Sequence, residues 1–92
     1  MNIQVDIKHI PPQRVAQPKR AASWACVKVD GVVAGEMTQT YVRDGKKYTN
    51  ETKFWFKPYN YSGERSTELI SGDTAENAVK AYIESRNRTE TR

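Results

Sequence analysis

The chain has 92 residues and a mass of 10.5 kDa, which is the size of one small domain and excludes a multidomain enzyme. Its 15 lysines and arginines outnumber its 11 aspartates and glutamates, so the formal net charge is +4. A single cysteine and a single histidine exclude a disulfide framework and a zinc finger. Residues 1–9 alternate in polarity and then meet prolines, so we expect neither a signal peptide nor a membrane span and predict a cytosolic protein.

The positive charge is concentrated in the N-terminal third of the chain. Between Asp6 and Asp30 there is no acidic residue. The basic residues in this interval are Lys8, Arg14, Lys19, Arg20 and Lys28. A block of this kind is either an electrostatic footprint for phosphate groups or a solvated basic loop.

Residues 1–21 are predicted to form an N-terminal strand followed by a basic, proline-rich arm. Ile3, Val5 and Ile7 alternate with polar residues, which is typical of a half-buried strand. Prolines follow at positions 11, 12 and 18. Because each proline lacks an amide donor and restricts the residue before it, regular structure is not expected in the arm, which is either an ordered extension or a loop.

Residues 22–57 are predicted to form a three-stranded meander. Two Asp-Gly pairs, at residues 30–31 and 44–45, separate three runs rich in valine, threonine and aromatic residues, and this pattern favours hairpins. Two-residue turns at both pairs predict a core face that carries Trp24, Cys26, Val33, Gly35, Met37, Tyr41, Tyr48, Phe54 and Phe56. Cys26 is interpreted as a small buried hydrophobe, with a reactive thiol as the alternative.

The same turns predict specific pairs of residues across the strands. The pairs on the core face are Trp24 with Met37, Val33 with Phe56, Gly35 with Phe54, and Tyr41 with Tyr48. The missing side chain of the glycine would leave room for an aromatic ring. The pairs on the other face are Glu36 with Lys53, Thr40 with Thr49, and Ala34 with Trp55. Opposite charges and paired threonines are favourable neighbours across antiparallel strands.

Residues 58–72 are predicted to form a loop with a short strand at residues 66–70, and residues 73–86 a helix. Asp73 precedes Glu76 by three positions, which is the spacing of a capping box. The apolar residues that follow at helical spacing are Ala75, Ala78, Val79, Tyr82 and Ile83. Glu76 and Lys80 are spaced for an ion pair, and residues 87–92 are predicted to be a frayed tail.

These elements predict an α+β fold in a single domain. An antiparallel sheet of four to five strands is expected to be packed on one face by the single C-terminal helix. The second face of the sheet is then more apolar than a solvent-exposed face should be. It carries Val27, Val29, Val32, Ala34, Val42 and Trp55, bordered by Lys47, Lys53 and Lys57.

Two interpretations of this second face remain open. Either the N-terminal strand or the arm folds back over it, or it is a partner surface with Trp55 as the anchor and lysines that contact phosphate or acidic groups. Tyr59 and Tyr61 stack on unpaired bases or pin their loop to the core. The candidate binding residues are Arg14, Lys19, Arg20, Lys28, Lys47, Lys53, Trp55, Lys57, Tyr59 and Tyr61.

The sequence carries no motif for catalysis or for metal binding. His9 has no partner that is recognisable by spacing, and it is predicted to be an exposed polar residue. Glycine-rich phosphate loops, HExxH motifs and paired catalytic carboxylates do not occur. We therefore predict a non-enzymatic protein without a cofactor.

Part of the helix resembles a known DNA-binding family. The string TAENAVKAY at residues 74–82 resembles the helix of the plant ethylene-response type of DNA-binding domain, which also follows a three-stranded sheet. This resemblance implies that the strands enter the major groove and that Arg43, Lys53 and Lys57 read it. Double-stranded-RNA-binding domains share the order of sheet and helix, but their helix begins with basic residues, whereas this one begins with Asp73 and Glu76.

In size, in its one-helix sheet and in its lack of catalytic residues, the whole chain is similar to small phage-encoded anti-CRISPR proteins. This similarity implies a stoichiometric inhibitor in the bacterial cytosol. Such an inhibitor docks on Cas protein subunits or on the guide RNA of a type I surveillance complex, blocks the binding of target DNA and has no membrane partner. The alternatives are a direct DNA- or RNA-binding domain and a structural phage protein.

Overall fold

The computed structural model describes residues 2–59 and 68–90, and of residues 86–90 the backbone alone. Its strands are β1 (Ile3–Val5), β2 (Ala25–Val29), β3 (Val32–Asp44), β4 (Lys47–Pro58) and β5 (Ile70–Gly72), and its helix is α1 (Ala75–Glu90). Each strand pairs antiparallel with the next along the chain, in the order β1-β2-β3-β4-β5. The predicted fold class is confirmed, since one C-terminal helix packs on a five-stranded antiparallel sheet. Among the described residues, no helix is both long enough and apolar enough to span a bilayer.

The first hairpin turns at the predicted Asp-Gly pair. Asp30 and Gly31 have φ angles of 52° and 82°, and positive φ at both central residues is what a type I′ turn requires. A bulge then shifts the register, because Lys28 pairs with Val33 whereas Val27 pairs with Gly35. Ala34 is the extra residue on β3.

This bulge overturns the predicted position of two side chains on β2. Ala25, rather than Trp24, lies opposite Met37. Because a shift of one residue exchanges the two faces of a strand, Ala25 and Val27 are buried in the core. Cys26, predicted to be buried, is exposed, and Trp24 lies on the face away from the helix.

The second hairpin turns one residue later than predicted. Asp44 pairs with Lys47, so the turn residues are Gly45 and Lys46. A further irregularity follows, in which Val42 is the single β3 residue opposite residues 49–51 of β4.

The predicted pairs of β3 with β4 are therefore wrong. The observed pairs are Gly35 with Pro58, Glu36 with Lys57, Met37 with Phe56, Thr38 with Trp55, Gln39 with Phe54, Thr40 with Lys53, Tyr41 with Thr52, and Arg43 with Tyr48. Val33 pairs with Lys28 and is 46% exposed rather than part of the core. Met37 lies opposite Phe56 instead of Thr52, and this displacement of four residues leaves the two faces of β4 as predicted. Gly35 does make room for an aromatic ring, but the ring is that of Phe56.

The core lies between α1 and one face of the sheet. Val27, Met37 and Phe56 contribute from the strands and are fully buried. The predicted apolar stripe of the helix packs against them, with Ala75, Ala78 and Val79 buried and Tyr82 and Ile83 partly buried. The rings of Phe56 and Tyr82 meet edge to face, with centroids 5.5 Å apart.

The start of α1 differs in detail from the prediction. The cap is Thr74 rather than Asp73, since the Asn77 amide donates to Thr74 Oγ1 at 3.1 Å. The predicted pair of Glu76 with Lys80 is present, at 3.7 Å. The helix continues to Glu90, past its predicted end at residue 86. Of the predicted strand at residues 66–70, residues 66–67 lie outside the described residues, residues 68–69 are not in a strand, and β5 begins only at Ile70.

The N-terminal segment adds a core residue that the sequence pattern does not reveal. After β1 the chain forms a 3-10 turn at Ile7–His9, so Ile7 leaves the predicted strand and is 58% exposed. Ile10, which follows this turn and precedes two prolines, is fully buried in the same cluster as Phe56. The segment after β1 therefore helps α1 to cover the core face.

We predict that Ile10→Ala destabilises the protein by about 2–5 kcal/mol, because it opens a cavity at a fully buried site. Ile7→Ala is the matched control, and at an exposed position we expect a change within about 0.5 kcal/mol. Urea unfolding of both variants measures the difference. Equal effects of the two substitutions would contradict the placement of Ile10 in the core.

Candidate functional site

The face of the sheet opposite α1, called the open face below, carries basic and aromatic side chains. Along β4, Phe54 and Phe56 point toward the helix, so the residues that alternate with them point the other way. The side chains that strand alternation and pairing place on the open face include Trp24, Lys28, Thr38, Thr40, Lys53, Trp55 and Lys57. The open face is thus built by the same alternation that fills the core.

Two lysines of β4 each lie over a tryptophan ring on the open face. Lys57 Nζ is 4.1 Å from the ring centroid of Trp24. Lys53 Nζ is 5.7 Å from the ring centroid of Trp55. A cation within about 6 Å of an indole face is attracted by the quadrupole of the ring. On the open face, each tryptophan ring therefore attracts a cation, and a lysine ammonium group already occupies that position.

Hydrogen bonds hold both indoles in place. Trp24 Nε1 donates to the carbonyl oxygen of Ala21 at 2.9 Å. Trp55 Nε1 donates to Thr40 Oγ1 at 2.8 Å. Because their polar atoms are paired within the protein, the rings are fixed in position before any partner binds.

The arm is ordered, and Gln13 anchors it to β3. The backbone amide of Gln13 donates to the backbone carbonyl oxygen of Gln39 at 3.0 Å, and the backbone amide of Tyr41 donates to the backbone carbonyl oxygen of Gln13 at 3.0 Å. This short parallel bridge extends the sheet where β3 runs past the end of β2.

The side chain of Gln13 also joins the two ends of the arm. Its Nε2 donates to the Ser23 carbonyl oxygen at 3.2 Å and to Thr38 Oγ1 at 2.9 Å. Its Oε1 accepts from the Ala22 amide at 2.7 Å. One amide group therefore closes the loop between residues 13 and 22 and holds it against the sheet.

The arm covers only one end of the open face. Val15, Ala16 and Pro18 line a pocket together with Trp55 and Lys53. The arm does fold back over part of this face and shields the end near Thr40, while Lys28, Lys57 and Trp24 lie outside this pocket. The interpretation of the face as a partner surface stays a prediction.

The structure brings together some of the predicted binding residues and separates others. Lys28, Lys53, Trp55 and Lys57 share the open face. Arg14 lies 5.7 Å from the ring centroid of Tyr41, at the arm. Lys19 and Arg20 are exposed in the 3-10 turn Pro18–Arg20, and Lys47 is exposed at the hairpin end of β4. Tyr59 is half-buried and its amide donates to the Ala34 carbonyl oxygen at 3.0 Å, while Tyr61 lies outside the described residues.

The apolar part of the predicted second face needs correction. Val27 is fully buried in the core, and Val29 and Ala34 pack against it. Val32 is 69% exposed beside the first turn. Val42 lines the pocket next to Trp55. The sequence interpretation missed Trp24 because the bulge at Ala34 moved it out of the predicted core.

The open face also carries an acidic side chain, that of Glu36. Glu36 lies opposite Lys57 on β3, as a cross-strand pair of opposite charge. His9 is exposed, as predicted, and its Nδ1 lies 2.6 Å from Asp6 Oδ2. Within residues 2–59 and 68–90, no three His, Cys, Asp or Glu side chains are grouped so as to hold a metal ion.

Comparison with protein-family models, with curated proteins and with solved structures found no match to this chain. The geometry of the open face therefore carries the functional proposal.

We predict that Gln13→Ala lowers the free energy of unfolding by about 2 kcal/mol, because it removes three hydrogen bonds that contribute roughly 0.5–1.5 kcal/mol each. The amide of Ala22 should also exchange with solvent faster. Gln17→Ala is the control, since Gln17 is exposed and makes no side-chain cap. If the Gln13 variant keeps the native stability and the native exchange rate of the Ala22 amide, the side chain of Gln13 does not anchor the arm.

Proposed function

We propose that the chain is a non-enzymatic protein whose open face binds unpaired nucleotides of a nucleic acid. The observation that carries this proposal is the pair of lysine-capped tryptophans, Lys57 over Trp24 at 4.1 Å and Lys53 over Trp55 at 5.7 Å. A nucleotide combines an aromatic base with an anionic phosphate. Proteins that bind single strands meet this combination with aromatic platforms set in a positively charged groove.

The order of residues along β4 suits such a ligand. Lys53, Trp55 and Lys57 follow each other at every second position, so their side chains stand in a row on one face. Consecutive members of the row are about 6.7 Å apart, twice the rise of an antiparallel strand. A base stacked on Trp55 is thus flanked on both sides by a lysine that can reach its phosphates.

The interaction energies favour a base over a lysine ammonium group as the partner of each tryptophan ring. Stacking of a base on an aromatic side chain is worth about 1–3 kcal/mol, whereas an exposed cation–π pair is worth roughly 0.5–1 kcal/mol. The displaced ammonium groups then neutralise phosphates and release counterions. Since the indoles are already held by hydrogen bonds, little ordering of the rings is needed on binding.

Stacking on the two tryptophan rings favours unpaired bases over a duplex. Inside a duplex the faces of the bases are covered by their neighbours, and a protein reaches only their edges in the grooves. The ring faces of Trp24 and Trp55 would then find no partner. The major-groove mode that the ethylene-response resemblance implies uses the edges of bases, and it leaves these two ring faces unexplained.

We further propose that the strand belongs to a ribonucleoprotein, with the guide RNA of a type I CRISPR surveillance complex as the leading candidate. In this form the bound protein blocks access of target DNA and acts as a stoichiometric inhibitor. The support for this narrower proposal is the resemblance to anti-CRISPR proteins in size and in the one-helix sheet. The open face contacts the RNA whether the strand is free or part of a ribonucleoprotein.

We predict that replacing Lys53 and Lys57 together by alanine weakens binding to a labelled oligouridylate and flattens its salt dependence. Each lost phosphate contact lowers the slope of log K against log salt by about 0.7 for single strands, so the double variant should lose about 1.4. Fluorescence anisotropy over a salt series measures this slope. Lys80→Ala, on α1 and paired with Glu76, is the matched control. A double variant indistinguishable from the control would remove the open face from the site.

The narrower proposal predicts that the protein binds an assembled type I surveillance complex and abolishes its binding of target duplex. Gel shifts with the complex, with bare guide RNA and with bare duplex separate the possibilities. Binding to bare RNA without any effect on the complex would reject inhibition and leave a direct RNA-binding protein. Binding to bare duplex that exceeds binding to both RNA forms would contradict the whole proposal.

A further inference from the structure

The arm and the open face form a pocket of about 150 Å³ beside Trp55 that is partly open to solvent. The arm contributes Val15, Ala16 and Pro18, and the sheet contributes Thr40, Tyr41, Val42, Arg43, Lys53 and Trp55. We propose that this pocket receives one pyrimidine base of the bound strand, an inference that rests on the proposed function.

The size of the pocket matches a single six-membered ring. A cavity of about 150 Å³ engineered in another protein binds benzene. A pyrimidine has one such ring, whereas a purine has two fused rings and needs more room. A pyrimidine ring therefore fits between the walls of the pocket, whereas a purine would extend out of its open side.

The walls of the pocket match the chemistry of a pyrimidine. Val15, Pro18 and Val42 provide apolar surface for the ring faces, and the Trp55 indole provides an aromatic surface. The Thr40 hydroxyl accepts from Trp55 Nε1 at 2.8 Å. A hydroxyl that accepts one hydrogen bond keeps its own proton, which can be donated to a carbonyl oxygen of uracil, thymine or cytosine.

Basic residues are among those that line the pocket, where they can meet the phosphate of a bound nucleotide. Arg43 and Lys53 contribute to its lining. When the base takes the place of the Lys53 ammonium over Trp55, that ammonium remains close enough to pair with the adjacent phosphate.

The pocket depends on the arm, and this gives the basic N-terminal segment a role. Gln13 holds the arm against β3 on one side and against Ala22 on the other. Val15, Ala16 and Pro18 lie within the loop that this residue closes. The arm thus forms one wall of a base-binding subsite, while Lys57 and Trp24 bind the neighbouring part of the strand.

The test compares oligouridylate with oligoadenylate by fluorescence anisotropy. The native protein should prefer oligouridylate by about tenfold, within the range expected for one stacked base. Val15→Trp fills the pocket and should abolish this preference by weakening binding of oligouridylate about tenfold, while the salt slope stays native. Val32→Trp is the matched control and should behave as the native protein does, because Val32 is an exposed valine of the first hairpin whose cross-strand partner Val29 packs against the core, on the face away from the bound strand.

The outcomes separate the pocket from the open face. A native protein that binds both oligonucleotides equally, or a Val15→Trp variant that keeps the native preference, overturns the pocket and leaves the proposed function intact. A native protein that binds neither oligonucleotide overturns both.

A second measurement does not depend on the folding of the Val15 variant. In a Trp24→Phe protein Trp55 is the remaining tryptophan, and its fluorescence reports on the pocket directly. Uridine monophosphate should quench this fluorescence, whereas ribose 5-phosphate, which lacks the base, should not. Equal quenching by the two compounds, or no quenching by either, would overturn the proposal.

Discussion

The burial of Phe56 is the contact on which the rest of the structure depends. Its ring is fully buried opposite Met37 and meets the edge of Tyr82 from the helix. Burying a side chain of this size contributes about 1.5–3 kcal/mol, a large part of the roughly 5–15 kcal/mol that stabilises a small domain. Since side chains alternate along a strand, placing Phe56 inside commits Trp55 and Lys57 to the opposite face. The hydrophobic core and the candidate binding face are therefore two consequences of one register.

The two hairpins show which parts of a register can be predicted from a sequence. Both Asp-Gly pairs do mark turns, and Phe54 and Phe56 of β4 do face the core. The pairs of the second hairpin are displaced by two residues beside the turn and by four beyond Val42. Both numbers are even, so the pairs differ from those predicted while the faces do not. The first hairpin is displaced by one residue at Ala34, an odd number, so Trp24 and Ala25 exchange places. A bulge of one residue has no signature in composition or periodicity, and this is why the prediction for Trp24 failed.

The helix could be predicted from the sequence, whereas the position of the arm could not. The apolar stripe of α1 is a local pattern with helical spacing, and its buried members agree with the prediction. The arm is held by contacts between residues far apart in the chain, such as the bonds of Gln13 to Thr38 and to the backbone of Gln39. The burial of Ile10 is likewise set by where β1 ends and by the turn after it. From sequence alone, the lysines and Trp55 of β4 could be grouped into a site, but Trp24 and the wall supplied by the arm could not.

We propose that the binding surface lies on the face of the sheet that α1 does not cover, with both indoles in contact with bases. An NMR titration of the labelled protein with oligouridylate tests this most directly, because the indole N–H of each tryptophan gives its own resonance. We expect both indole resonances to shift and the backbone amides of residues 75–83 to keep their positions. Shifts confined to the helix, or indole resonances that stay in place at saturation, would contradict it.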